Sequence, residues 1–124
     1  MQRYYLVFVP DLFELKDQDD YSEVVDWAIM NLDSRNVLRL SEDDIYNFEY
    51  NTIVLDIINE ENSGMLQMGE DDWIISDEIK QRILLQLQNY VKSLPENDIK
   101  RLTLEIIRLF TVAVERKANI YFLF

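Results

Sequence analysis

Between Glu96 and Lys117 the apolar residues Ile99, Leu102, Ile106, Leu109 and Ala113 recur in alternating steps of three and four. That period places them on one face of a helix. Leu104, Ile107, Phe110, Val112 and Val114 widen the apolar surface until a polar seam of Arg101, Glu105, Arg108 and Glu115 remains. A helix so nearly apolar all round is usually buried. The spacing therefore predicts a central helix that the rest of the chain must coat.

The coat is read from shorter signals. Arg3 to Val9 is an aromatic and β-branched run ended by Pro10, and Asn119 to Phe124 is its counterpart at the other end. Both read as strands, and pairing them would bring the ends of the chain together. Asp19 or Asp20 starts a helix with Glu23 in its first turn and Tyr21, Val24, Val25, Ala28 and Leu32 on one face. Val37 to Leu40 reads as a strand or a turn. Ser41 caps a short helix carrying Ile45 and Phe48. Thr52 to Ile58 is β-branched and reads as a strand, with helix as the competing assignment. Glu61 to Gly64 is a turn, with Met65 to Met68 as a returning hairpin partner. Ser76 caps a helix with Ile79, Ile83, Leu87 and Leu94 inward, and Ser93, Pro95 and Glu96 suggest a capping box for the last helix. The expected class is α+β, predominantly helical, with a small sheet from the terminal strands; an all-α bundle is the alternative. At 124 residues, 48% apolar and 12% aromatic, the chain is expected to form one globular domain over residues 1–124 rather than a disordered segment.

Absences restrict the chemistry. There is no histidine and no cysteine, which removes the usual neutral-pH acid–base residue, thiolate nucleophiles and the common zinc ligands. Gly64 and Gly69 stand alone, so no Gly-rich phosphate cradle exists. Asp17, Asp19 and Asp20 lack the glycine and closing glutamate of a calcium loop. Paired carboxylates can cleave glycosides, but 24 acids make pairing inevitable and single out no residue. No catalytic residue, metal or cofactor is expected. Met1 to Pro10 has Arg3 as its one basic residue and no cleavage site, and no uncharged apolar run approaches the ~20 residues of a membrane span. The expected location is cytoplasmic.

Charge is the positive signal. The net charge is −12, and residues 1–78 hold 20 Asp and Glu against 4 Lys and Arg. The acids gather as Asp17/Asp19/Asp20, Glu42/Asp43/Asp44, Glu60/Glu61 and Glu70/Asp71/Asp72, each at an expected loop or helix start. Helix dipoles favour acids there, and acidity also keeps a protein soluble. Neither reason explains the large aromatics beside them: Trp27, Trp73, Tyr46 and Tyr50. Acids among aromatics suit contact with Arg and Lys of a partner. The candidate partner-binding set is Asp19, Asp20, Glu42, Asp43, Asp44, Tyr46, Glu70, Asp71, Asp72 and Trp73.

In size and charge balance the chain resembles the small acidic bacterial immunity proteins of toxin–immunity systems, in which an acidic face plugs a nuclease toxin's basic cleft. The resemblance implies an inhibitory binding protein, not an enzyme. Its partner would be a basic toxin or nuclease domain, with no direct nucleic acid and no membrane, and monomer and dimer are both open. The alternatives are a nucleic-acid mimic acting against restriction or CRISPR complexes, and an acidic secretion chaperone.

Overall fold

The two aromatic ends of the chain meet in one sheet. In the computed structural model, which describes residues 4–15 and 17–124, Tyr5–Phe8 forms β1 and Ile120–Leu123 forms β4, antiparallel to each other. Val37–Leu40 (β2) adds to the outer side of β1 and Asp71–Ile74 (β3) to that of β4. The order is β2-β1-β4-β3, antiparallel throughout. With five helices beside this sheet among the described residues, the α+β expectation holds and the all-α alternative does not. Arg3, the expected first residue of the N-terminal strand, lies outside the described residues.

The terminal strands lack polar alternation because both faces of the sheet are covered. Leu6, Phe8 and Tyr121 face α1 (Tyr21–Met30), meeting its Val24, Trp27 and Ala28. Val7, Val9, Ile120, Phe122 and Phe124 face the other way, into a larger core. That core is closed by α2 (Glu42–Asn51), α3 (Val54–Asn62), α4 (Asp77–Val91) and α5 (Asp98–Arg116). Ile99, Leu102, Ile106, Leu109 and Ala113 are buried, as their spacing predicts. Leu104 is not: α5 packs against α2, α4, β1 and β4, and this side chain, on the uncovered side, is 48% exposed. Fully buried Lys80 ties α4 to the α5–β4 connection, its Nζ donating to Ala118 O at 2.7 Å and meeting Asp77 Oδ1 at 2.8 Å.

Three expectations are corrected. The run from Thr52 to Ile58 is not a strand: Thr52 and Ile53 join two helices and Val54 onward is α3, because Val54, Leu55, Ile57 and Ile58 bury one face while Asp56 and Glu60 stay outside. Packing of that face overrides β-propensity. The strand after the Gly64 turn is Asp71–Ile74, not Met65 to Met68, and it pairs with β4. A Cβ at Gly64 would fall 2.3 Å from Asp72 Oδ2, so a larger residue there must displace that carboxylate. The capping box at Ser93 and Glu96 does not form. Ser93 Oγ donates back to Tyr90 O, and Asn97 caps α5 by accepting from Lys100 N at 3.1 Å.

Candidate docking surface

Two of the four acidic clusters come together where the start of α1 crosses the β3 edge. Asp20 caps α1 by accepting from Glu23 N at 3.2 Å, and Asp17 accepts from Asp19 N at 2.9 Å. Tyr21, the first residue of α1, reaches β3 twice: its hydroxyl donates to Asp71 Oδ2 at 2.7 Å, and its ring lies 5.3 Å from that of Trp73. Burial, and then the hydrogen bond to Asp71, raise the Tyr21 phenol well above its ordinary pKa, so it stays a donor. Asp71 Oδ1 also accepts from Phe124 N at 3.2 Å. Asp72, on the opposite face, accepts from Trp73 N and Asn62 Nδ2.

Beside this corner lies a cavity of about 210 Å³ lined by Gln18, Asp19, Tyr21, Trp73, Ile75, Asn119 and Tyr121. Tyr121 donates its hydroxyl to Gln18 O at 2.5 Å and accepts from Asn119 Nδ2 at 3.0 Å. Burial raises its pKa, the hydrogen bond from Asn119 opposes that, and the charges of Asp19 and Asp17 raise it further. Asp19, one of its lining residues, brings a carboxylate to the cavity.

The Glu42/Asp43/Asp44 cluster sits at the other edge. Ser41 and Asp44 form a reciprocal capping box, which the sequence signals as an N-cap. Asp44 is therefore committed to the fold, while Glu42 and Asp43 are exposed. One turn on, Tyr46 and Tyr50 stack with centroids 6.1 Å apart, 41% and 73% exposed. The ridge continues through exposed Ile53, Asp56 and Glu60 on α3. Glu49 is different: its Oε2 is buried and has no hydrogen-bond partner. Arg39, Leu6, Leu123 and Asp71 lie in register across the sheet. Glu42 follows the first of these and Glu70 precedes the last, so both project past the same end of the sheet from opposite edges. Three strand spacings separate those edges, ~14 Å. Arg39, on the β2 edge itself, holds its guanidinium 5.6 Å from the centroid of the Tyr4 ring.

Cations are distributed unevenly over these acids. Every described ion pair draws its cation from α4 or α5, and the carboxylates reached are Glu61, Asp77, Glu78, Glu96, Asp98 and Glu105. Among the described residues, no hydrogen bond or ion pair engages the exposed carboxylates of Asp26, Asp33, Glu42, Asp43, Asp56, Glu60 or Glu70. The Glu60/Glu61 cluster is split accordingly: Glu61 binds Arg82 at 2.7 Å and Gln86 at 2.8 Å, and Glu60 faces solvent.

Of the ten candidate residues, Asp19, Asp20, Asp71 and Trp73 converge with Glu70 at the α1–β3 corner, and Glu42, Asp43 and Tyr46 form the α2 edge. Asp20, Asp44, Asp71 and Asp72 hold internal partners. Trp27 is core, 8% exposed, with Nε1 donating to Glu14 Oε2 at 2.9 Å. Sequence reasoning missed Tyr21, Gln18 and Asn119 as lining residues, because cross-chain contacts of 50 to 103 positions leave no local pattern. Asp56 and Glu60 were legible as a four-residue step, had the segment been read as a helix.

A family model described as DMP12, DNA-mimic protein, matches residues 7–124. The DNA mimic protein DMP12 of Neisseria meningitidis serogroup B is 24% identical over 116 residues, covering 91% of this chain and 94% of that protein. A solved structure, the Neisseria DNA mimic protein DMP12, superposes with a TM-score of 0.76 at 21% identity, covering 98% of this chain and 100% of that one. These matches overturn the resemblance to toxin–immunity proteins. The inhibited toxin, the nuclease-domain partner and the exclusion of nucleic acid from the account are corrected with it. The physical reason is that size and net charge are common to any small protein that faces a basic surface.

Proposed function

The chain belongs to the DMP12 family, and from that premise we propose that it is a DNA mimic: a non-catalytic, cytoplasmic binding protein that occupies the DNA-contacting surface of a DNA-binding protein. The uneven distribution of cations carries this reading. A carboxylate already paired in the fold offers a partner little, whereas an unpaired exposed one is a ready counter-charge for Lys and Arg that would otherwise meet phosphates. The two edges bearing Glu42/Asp43 and Asp19/Asp20/Glu70 lie ~14 Å apart by strand spacing, on the scale of the ~12 Å major groove of B-DNA. Tyr46 and Trp73 add aromatic contact area, and Asp44, Asp71 and Asp72 act indirectly by fixing the backbone from which their neighbours project. For the described residues, no helix is long and apolar enough to cross a membrane.

The test is displacement from duplex DNA. Cell proteins loaded on a double-stranded DNA resin are challenged with this protein at constant ionic strength. Release of a discrete DNA-binding protein by the wild type, and not by an equally charged poly-aspartate, supports mimicry. Release of nothing, or identical release by poly-aspartate, rejects it.

A further inference from the structure

We infer that the cavity between α1 and β3 is a receptor for a single guanidinium group, the side chain of an arginine on the docked protein. It combines aromatic faces with negative charge. Trp73 (42% exposed) and Tyr21 pack against each other, ring centroids 5.3 Å apart, and line the cavity together with Tyr121, which is 2% exposed. A cation within ~6 Å of such a ring centroid is attracted by the ring's quadrupole, and Trp is the strongest host. A guanidinium is favoured over an ammonium because it is planar, stacks on indole and is more weakly hydrated. Asp19 supplies charge at the same cavity, and Asp17 and Asp19 both act on the Tyr121 hydroxyl. Asn119 adds an acceptor: it is 4% exposed, its Nδ2 is engaged with Tyr121, and among the described residues no hydrogen bond reaches its Oδ1. A volume of about 210 Å³ suits one side chain rather than a folded segment. No described cation lines the cavity.

The biological occupant rests on the proposed mimicry, but the chemistry of the site does not. In a partner that reads DNA, this arginine would be one that contacts phosphate or a base edge. The acidic ridge steers the approach, and the cavity then fixes the register of the complex. Such a desolvated aromatic anchor is the type of contact that dominates affinity.

Amide and indole NMR spectra of the intact protein, titrated with N-acetyl-arginine methylamide, test the site without any partner. N-acetyl-citrulline methylamide, similar in shape but uncharged, is the control. Saturable shifts confined to the Trp73 indole and to the Tyr21 and Asn119 amides are expected at ~1–10 mM, the range of a single-group ligand. Citrulline should bind about tenfold more weakly, and Asp19→Asn should weaken the arginine probe ~3- to 10-fold. Trp73→Phe should retain most binding, read at Tyr21 and Asn119, while Trp73→Leu, which removes the ring face, abolishes it. Shifts spread evenly over the acidic surface, equal binding of citrulline, or indifference to Trp73→Leu would overturn the inference. If the probe binds but no protein leaves the DNA resin, mimicry fails and the cavity stands; the converse leaves mimicry without this anchor.

Discussion

The acids of α4 and α5 and the acids of α1 to α3 are equally well placed to find cations, yet they differ in what surrounds them. Asp77, Glu78, Asp98 and Glu105 each meet a Lys or Arg three or four residues along their own helix, and Glu96, just ahead of α5, meets Lys100 within it. That spacing is the cheapest stabilisation a helix surface offers. On α1, α2 and α3 the positions three or four after an acid hold Asp26 and Met30, Tyr46, and Glu60 instead of Lys or Arg. Like charges four apart, as at Asp56 and Glu60, are mildly destabilising. One half of the molecule has neutralised its surface, and the other keeps a repulsive one that an external basic partner would relieve.

Four experiments sharpen or break that division. The largest effect belongs to the core beneath the paired half. Leu109→Ala should lower stability by ~2–5 kcal/mol, read by chemical denaturation, and leave association unchanged where the protein is folded. A loss under about half a kcal/mol would mean that α5 is not the central packing element. Next comes reversal of Glu42, Asp43 and Glu70 to Lys. It should slow association with a released partner by ~10- to 10³-fold, the range over which electrostatic steering acts. Melting temperature should fall only slightly, since no described carboxylate partner is lost and the cost is the helix-dipole preference for acids in the first turn of α2.

Lys80→Ala should destabilise more than Lys80→Met. Methionine refills the volume, while both variants leave Ala118 O without its donor. Equal losses in thermal melts would show that the bond to Ala118 O, not packing, matters at that site. The smallest effect concerns pH. Hydrogen bonding to Arg82 holds the Glu61 carboxyl below the usual carboxylate range, against the push of desolvation, and Lys80 does the same for Asp77. A depressed folded pKa gives stability that is complete above the unfolded value and lost as pH falls through the folded one. Glu61→Gln and Asp77→Asn should therefore lower the melting temperature at pH 7, with the deficit closing below about pH 4. A deficit that persists unchanged at lower pH would contradict the paired assignment.

The sequence was a good guide where signals are local. The Ser41 and Ser76 caps, the face of α1 and the buried stripe of α5 all follow from spacing or from one capping residue. It misled where tertiary contact decides. The run from Thr52 to Ile58 has strand composition, and only the exposed Asp56 and Glu60 betray its helical period. The acidic run at Glu70 reads as a loop, but Asp72 and Ile74 alternate with Asp71 and Trp73 across a pleat that β4 creates. The site shows the same split. Clustering identified which stretches are acidic, but not that Asp71 and Asp72 are held by Tyr21, Phe124 and Asn62 while Glu70 is unengaged. Total charge was the least discriminating signal, and it suggested the wrong family.

The division between a neutralised half and an open one is tested most directly by the ionic-strength dependence of binding to the protein released from duplex DNA. Three forms are compared: wild type, the triple reversal at Glu42, Asp43 and Glu70, and an equally charged reversal of the paired Glu78, Asp98 and Glu105 on α4 and α5. If the open carboxylates stand in for phosphates, the slope of log affinity against log salt falls for the first variant and stays at the wild-type value for the second. Equal slopes for the two variants would place the binding charge over the whole surface, and the account would be wrong.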